Sequence, residues 1–307
     1  MNITPDYLIE RKRSKLQLAK WKIVSLILII IIAVFAGKKS LGPERFLGEK
    51  APIMGDYIAR LSFEEIIYDN LPRVKKIESL AEDKHIKALI IHINSPGGSV
   101  VGSEMLYNAF RKVAKHKPVV VVMDSVAASG GYLASLGADY IISHNGTITG
   151  SIGVLMQTAE VTELAEKVGI TFNNFKSSPL KANPSFTEKL TPEAEQSMMD
   201  SIFDVYDYFT KLVAERRKLD IDFVKKIADG RIYSAKQALE YKLIDEIGNE
   251  DSAVKWLEEV KGIPAGLKVS EVKLNPREKF IDMLFDDLNS SIGGLFPAKL
   301  SGLKVIW

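Results

Sequence analysis

The residue with the clearest potential for chemistry is a serine flanked by small residues. Ser129 lies in the run AASGG, three residues after the apolar run PVVVVM. A serine on a sharp strand-to-helix turn presents its hydroxyl at the edge of a sheet, as a nucleophile elbow does. Small neighbours leave room for a substrate carbonyl, and the Gly130 N–H is a candidate oxyanion donor. The run therefore indicates a nucleophilic serine, with a small residue buried in a tight turn as the alternative.

A second glycine pair follows an earlier apolar run. Gly97 and Gly98 come after the predicted strand at 88–93 and open a predicted helix that starts at Val100. The first N–H groups of a helix lack partners within it, and glycine adds no Cβ that would block an anion. Ligands usually bind at the carboxyl ends of parallel strands. The pair is a candidate oxyanion hole, and a tight turn without chemistry is the alternative.

A nucleophilic serine needs a general base, and the four histidines are poorly placed to supply one. His85 and His116 fall in charged helix ends. His92 lies inside a predicted strand, and His144 lies beside an Asn-Gly turn. A lysine can serve where burial among apolar groups lowers its pKa. Lys181 lies in the proline-stiffened run SSPLKANP, but the residues alone do not select it among the lysines.

Composition excludes several classes of protein. The 307 residues are 46% hydrophobic and 26% charged, which is typical of a globular chain with a sizeable core. A net charge of +2 argues against a dedicated nucleic-acid binder. There is no cysteine, so thiolate nucleophiles, disulfides and Cys-ligated metals are excluded. We expect no metal and no cofactor.

A long apolar run near the start of the chain predicts a membrane anchor. Residues 21–37 read WKIVSLILIIIIAVFAG, which is long enough to span a bilayer at the short end of the range. The basic segment at 1–20 predicts a cytoplasmic N-terminus, with everything after the helix outside the cytoplasm. The alternatives are a buried core helix and a signal peptide cleaved after Ala36.

The remaining sequence predicts an α/β domain. A Gly- and Pro-containing linker covers 38–53, and strand-like runs then alternate with helical patterns, which favours parallel pairing. The predicted strands cover 88–93, 118–123 and 140–142, and the predicted helices cover 100–116, 192–219 and 235–241. An amphipathic tail at 266–307 fits either packing against protein or contact with a membrane surface.

Four motifs in order resemble the signal peptide peptidase A family. They are NSPGGS at 94–99, AASGGY at 127–132, TGSIGV at 149–154 and GRIYSA at 230–235. The resemblance covers about residues 54–265 and corresponds to the short, single-domain form of the family. It implies a ClpP/crotonase-like fold of repeated strand-strand-helix units, which here would follow one N-terminal transmembrane helix.

The resemblance also implies a catalytic Ser/Lys dyad and no cofactor. The family's serine falls on Ser129, and its lysine falls on Lys181, 52 residues later. Lys176 and Lys189 are nearby competitors, although the Ser-Pro-Leu-Lys context favours Lys181. By the same match, Ser151 orients the lysine.

The implied surroundings of the dyad complete the expectation. Gly98 is the main oxyanion donor, and Gly130 is the second. The family implies bowl-shaped homo-oligomers in which neighbouring subunits share a site. It also implies peptide substrates, namely cleaved signal peptides in the bilayer, and a periplasmic serine endopeptidase on the inner membrane. SohB-like peptidases share these motifs, so the natural substrate stays open.

Three rival functions differ in the residues that they need. A Clp-type peptidase with a Ser/His/Asp triad needs a histidine about 25 residues after the serine, by that family's spacing, and position 154 is a valine. A crotonase-type enzyme that acts on acyl-CoA needs no nucleophile and no anchor. A catalytically inactive, membrane-tethered assembly protein would keep the fold without a working base.

Overall fold

A computed structural model describes residues 21–22 and 55–274. Trp21 and Lys22 are helical and exposed. The rest of the predicted membrane segment, the linker at 38–53 and the tail beyond residue 274 lie outside the described residues. Within the described part of the chain, no helix is both long and apolar enough to cross a bilayer. One compact unit spans Gly55–Asn275, and it contains every predicted site residue.

Strands and helices alternate along this unit. The strands are β1 (Tyr57–Phe63), β2 (Ile86–Ser95), β3 (Val119–Ala128), β4 (Tyr140–Ser143), β5 (Ile148–Gly150), β6 (Ile232–Ser234), β7 (Glu246–Ile247) and β8 (Lys268–Glu271). The helices are α1 (Leu71–Ser79), α2 (Val100–Ala114), α3 (Gly130–Ser135), α4 (Thr162–Lys167), α5 (Pro192–Arg217), α6 (Ile221–Ile227), α7 (Ala235–Glu240) and α8 (Glu250–Glu259). The predicted strands and helices each overlap one of these elements.

The eight strands form one mixed sheet in which nearly all pairs are parallel. Its main path runs β6-β5-β3-β2-β1-β8, and β4 and β7 lie off this path, with β4 on β3 and β7 on β4. Only β5 and β6 pair antiparallel among the described strands. β4 and β5 occupy successive stretches of the same edge of β3, at Val120–Met123 and Val126–Ala128. The sheet confirms the predicted α/β class.

The order of elements differs from the simple repeat of two strands and a helix that the resemblance implies. α1, α2 and α3 each follow a single strand, and consecutive strands precede a helix only at β4-β5-α4 in the described chain. β2 and β3 are instead ten residues long, and their pairing shifts register between Ile93 and Ser95. Both long strands thus continue past the register shift, and their carboxyl ends lie at the same edge of the sheet.

Alternating residues of the central strands pack into two cores. On β2, Leu89, Ile91 and Ile93 belong to the larger core, which also includes residues of α1, α2, α3 and α5. Ala88 and Ile90 belong to a smaller core on the opposite face with α8. Burial on both faces explains why the β2 and β3 sequences are almost continuously apolar rather than alternating.

A charged network lies on the sheet face that α8 covers. His92 on β2 bonds through Nδ1 to Asp124 on β3 at 3.0 Å and through Nε2 to Glu250 at the start of α8 at 2.9 Å. Arg60 on β1 pairs with Glu250 at 3.3 Å and with Glu271 on β8 at 2.7 Å. His144 also approaches this network, because its Nε2 lies 3.6 Å from Asp124. The network ties the C-terminal α8 and β8 to the central strands.

The charge state of His92 follows from its surroundings. Burial by itself lowers the pKa of His92, but hydrogen bonds and attraction from Asp124 and Glu250 outweigh it, so the pKa lies above its ordinary value. A raised pKa in the folded state means that protonation stabilises the fold. This contribution is complete below the unfolded-state pKa of about 6.5 and is lost as the pH rises through the folded-state pKa.

Replacement His92→Gln should therefore destabilise the domain more at pH 6 than at pH 9. We expect a loss of about 1–3 kcal/mol in the free energy of unfolding at pH 6, because two carboxylates lose a charged partner. Chemical denaturation at both pH values measures the difference. His116→Gln is the matched control, since His116 is exposed and should change little at either pH. A pH-independent loss for His92→Gln would contradict the assignment.

Candidate active site

The carboxyl ends of three neighbouring strands meet at one edge of the sheet. β3 pairs with β2 up to Ser95–Ala127 on one side and with β5 up to Ala128–Gly150 on the other. Gly98, Ser129 and Ser151 follow these strand ends within three residues. The sheet thus brings together the two glycine pairs and the serine of the TGSIGV motif, as the sequence predicts.

Ser129 occupies a strained turn between β3 and α3. Its backbone has φ 51° and ψ −119°, a combination that a residue with a Cβ rarely adopts. Its N–H donates to Gly150 O at 2.8 Å, and its C=O accepts from Leu133 N–H at 2.9 Å. Such strain costs of order 1–3 kcal/mol and is concentrated at functional sites. The conformation matches the strand-to-helix elbow that the sequence predicts.

Gly130 allows the elbow to approach its neighbours closely. A Cβ at this position would lie 2.1 Å from Ser103 Oγ and 3.2 Å from the Gly98 nitrogen. Ser103 is fully buried on α2, so it has no room to withdraw. Gly130 is also the first residue of α3, where an N–H has no acceptor within the helix. Its N–H therefore lacks an acceptor within α3 and lies next to Ser129 in the chain.

Gly98 is held by a parallel bridge to Ile67 in the β1–α1 loop. Ile67 N–H donates to Gly97 O at 2.8 Å, and Ser99 N–H donates to Ile67 O at 2.9 Å. In such a bridge the N–H and C=O of the middle residue face away from the partner strand. The Gly98 N–H accordingly faces away from Ile67, and no hydrogen bond among the described residues uses it. Gly98 as a residue is exposed.

Ser151 lies beside the elbow and shares its unusual backbone. Its φ is 50°, and its N–H donates to Arg231 O at 2.8 Å. The residue before it, Gly150, is the acceptor for the Ser129 N–H. The two serines are thus linked through one backbone hydrogen bond, and both are partly exposed.

Lys181 lies in an exposed loop between α4 and α5, outside the sheet. Its backbone N–H donates to Ser178 O at 3.1 Å. No hydrogen bond or ion pair that the described residues make joins its side chain to Ser129 or Ser151. The sheet therefore gathers Ser129, Gly98, Gly130 and Ser151, whereas no hydrogen bond or ion pair among the described residues joins the Lys181 side chain to them.

The two competing lysines are engaged with carboxylates. Lys176 forms an ion pair with Glu188 and also donates to Pro179 O at 3.3 Å. Lys189 pairs with Glu163 at 3.1 Å, and this hydrogen bond raises the pKa of Lys189. A raised pKa opposes the neutral amine that a general base needs.

None of the four histidines bonds to Ser129 in the described structure. His92 and His144 face Asp124, as above, and His85 lies 3.7 Å from Asp56. His116 is exposed at the end of α2. These positions give no support to a Ser/His/Asp triad.

Two features of the site have no clear signal in the sequence. Ile67 sits in a loop with no recognisable motif, and its pairing with Gly98 joins residues 31 positions apart. Ser103 is one of several small residues on α2, and nothing in its spacing marks its contact with Gly130. The structure alone reveals these supports, because each joins residues that are distant in the sequence.

Comparison with known proteins places this site in a class. Residues 111–264 match the model of peptidase family S49, and residues 67–144 match that of Clp protease. The chain is 38% identical over 205 residues to a candidate protease, slr0021, from Synechocystis sp., which covers 67% of this chain and 73% of the relative. It is 35% identical over 257 residues to a candidate protease, MJ0651, from Methanocaldococcus jannaschii, which covers 78% of this chain and 83% of the relative.

A third relative is a candidate signal peptide peptidase SppA from Enterococcus faecium, 37% identical over 192 residues, with 62% of this chain and 55% of the relative covered. Together with the mixed sheet, these matches define a protease with a ClpP-like α/β fold. The chain belongs to peptidase family S49, the signal peptide peptidase A family. The resemblance that the four motifs indicate is thereby confirmed.

The strain at Ser129 makes a measurable prediction. Ser129→Gly should be more stable than Ser129→Ala by about 1 kcal/mol, because glycine adopts a positive φ without strain. Thermal unfolding of the two variants measures the order. Ser135 supplies the matched control, since it lies inside α3 with an ordinary neighbouring backbone, and there alanine should be the more stable replacement by about 1 kcal/mol. The same order at both positions would contradict a strained elbow.

Proposed function

We propose that this protein is a membrane-anchored serine endopeptidase with a Ser/Lys dyad. Ser129 is the nucleophile, Lys181 is the general base, Gly98 and Gly130 supply the oxyanion hole, and Ser151 orients the lysine. The observation that carries the proposal is the strained Ser129 elbow between two available backbone N–H groups. An S49 protease needs these parts for acyl transfer, and membership of the family supports the assignment.

The proposed reaction follows from these positions. Ser129 Oγ attacks the scissile carbonyl carbon while its proton passes to the neutral Lys181 amine. The carbonyl oxygen becomes an oxyanion and accepts hydrogen bonds from the Gly98 and Gly130 N–H groups. The C–N bond then breaks, and the leaving amine takes the proton from Lys181. A water molecule gives a proton to Lys181 and attacks the acyl carbon. The C–Oγ bond then breaks, Lys181 returns the proton to Ser129 Oγ, and the acid product leaves.

The lysine, we further propose, reaches Ser129 from a neighbouring copy of the chain. Among the described residues, no hydrogen bond joins Lys181 to Ser129, and the segment that carries Lys181 exposes large apolar side chains. Leu155 is 82% exposed, Phe175 is 97% exposed and Phe186 is 63% exposed. Apolar side chains exposed to this degree are typical of a surface that another protein covers. A homo-oligomer would bury this segment and bring Lys181 to an adjacent serine.

The proposed substrates are cleaved signal peptides or other membrane-associated peptides. Apolar side chains surround the Gly98 turn, with Ile66 47% exposed, Tyr68 66% exposed and Val101 52% exposed. Such surroundings suit an apolar peptide.

A helix at 21–37 in the inner membrane would hold the catalytic domain on the periplasmic side, near these peptides. Protease added outside intact spheroplasts should then reach the domain, and full protection would contradict this orientation.

Loss of either dyad residue should abolish peptidase activity. In the full-length chain in detergent micelles, Ser129→Ala and Lys181→Ala should each lower kcat on a fluorogenic peptide by about 1,000-fold or more. Lys181→Arg should be as inactive, because arginine keeps the charge but cannot act as a base. Lys189→Ala is the control, and it should stay within about twofold of wild type, because an exposed ion pair contributes little.

The pattern of these variants decides the assignment. Equal turnover in wild type, Ser129→Ala and Lys181→Ala would exclude the dyad. Activity lost in Lys189→Ala but kept in Lys181→Ala would move the base to Lys189. A labelled fluorophosphonate should modify wild type at Ser129, and an active preparation without this label would exclude Ser129 as the nucleophile.

Mixing two inactive variants tests whether copies share a site. In random mixed oligomers of Ser129→Ala and Lys181→Ala, about a quarter of the sites should combine an intact serine with an intact lysine if neighbours supply them. Activity should then rise well above that of either variant alone. A dyad within one chain leaves every mixed site incomplete, so no recovery would contradict the shared site. Unmixed variants at the same total concentration are the control.

A further inference from the structure

The loop at 64–70 between β1 and α1, here termed the strap, crosses the Gly97–Gly98 turn and bonds to it. From this geometry we propose that the strap is a positioning element for the oxyanion hole and that Asp69 is its latch. The proposal rests on the proposed function, because it assigns a role to the strap only if Gly98 N–H stabilises an oxyanion.

The backbone of the strap fixes the Gly98 peptide from one side. Ile67 bonds to both neighbours of Gly98, at 2.8 Å to Gly97 and 2.9 Å to Ser99. A Cβ on Gly98 would lie 1.9 Å from Ile67 O, so the backbones of the strap and of the Gly97–Gly98 turn are in direct contact. The Ile67 side chain is 2% exposed within the large core. The position of the Gly98 N–H is therefore set by a residue that the core anchors.

Asp69 fastens the next part of the strap to the start of α2. Its Oδ1 accepts a hydrogen bond from Ser99 Oγ at 2.5 Å. Ser99 is the N-cap of α2, and its Oγ accepts a hydrogen bond from Gly102 N–H at 3.0 Å. Between these bonds the strap packs tightly, since a Cβ on Gly102 would lie 2.7 Å from Tyr68 C. Three successive strap residues, 67 to 69, thus contact the segment that carries Gly98.

The latch is the part of this arrangement that can be removed without loss of the fold. Asp69 is exposed, whereas Ile67 is in the core and Asn70 caps α1 through Arg73 N–H at 3.0 Å. An exposed hydrogen bond contributes little to stability, because water replaces either partner when the bond is lost. Catalysis is more sensitive, because a displacement of about 1 Å in a catalytic group can cost up to about 100-fold in rate.

The test compares Asp69 variants in the full-length chain in detergent micelles. Asp69→Ala should lower kcat on a fluorogenic peptide by about 10-fold, with KM changed less than about twofold and a melting temperature within a few degrees of wild type. Asp69→Asn should restore kcat to within about twofold of wild type, because the amide oxygen still accepts from Ser99. Glu78→Gln is the control, since Glu78 also links α1 to α2, through Lys112 at 2.8 Å, at the far end of α2.

A double-mutant cycle separates the latch from general weakening. Ser99→Gly removes the hydroxyl and keeps a tolerated N-cap residue, so the double variant should lose no more activity than the worse single variant. A double variant whose loss of kcat equals the product of the two single losses would overturn the proposal. An unchanged kcat in Asp69→Ala would also overturn it, as would an Asp69→Asn variant as slow as Asp69→Ala. If the wild type is active and Ser129→Ala is not, these outcomes reject the strap alone; activity in Ser129→Ala rejects the proposed function itself.

Discussion

The hydrogen-bonded pairing of β3 with β2 on one side and β5 on the other is the constraint on which the site depends. Parallel pairing makes the carboxyl ends of the three strands meet at one edge, and register fixes which residues follow each end. Ala127 opposite Ser95 and Ala128 opposite Gly150 leave Ser129 level with Ser151 and close to Gly98. A one-residue slip of β3 would turn its side chains to the other face of the sheet and move Ser129 out of line with Gly98 and Ser151.

The pairing also helps to hold Ser129 in its strained backbone conformation. Ser129 keeps a positive φ because the Gly150 carbonyl and the Leu133 N–H fix both sides of its peptide backbone. Close packing below it requires small residues, since Gly130 approaches the buried Ser103 without room for a Cβ. The hydroxyl is thereby held at the sheet edge at a conformational cost that the surrounding strands and α3 offset.

Local patterns predict the parts of this arrangement that depend on local chemistry. A long apolar run followed by small residues predicts both β3 and the Ser129 elbow, and the second glycine pair predicts Gly98, because each signal lies within a few residues. The strap, the Ser103 contact and the network of His92 with Glu250 are not predictable in this way. They join residues that are distant in sequence, and the residue type of a serine, an isoleucine or a glutamate does not predict which distant residue it contacts.

The lysine poses the reverse problem, since sequence context and family point to it and the described chain leaves it apart from the serine. A lysine base needs surroundings that exclude water, and an exposed loop does not provide them. Lys181 lies on a segment whose apolar side chains are exposed as well. If another copy covers that segment, the same burial that stabilises the contact would remove water from the amine. If the proposed dyad is correct, assembly of the oligomer would also activate the lysine base. A single copy of the chain would then have the Ser129 elbow and the oxyanion hole but no working base.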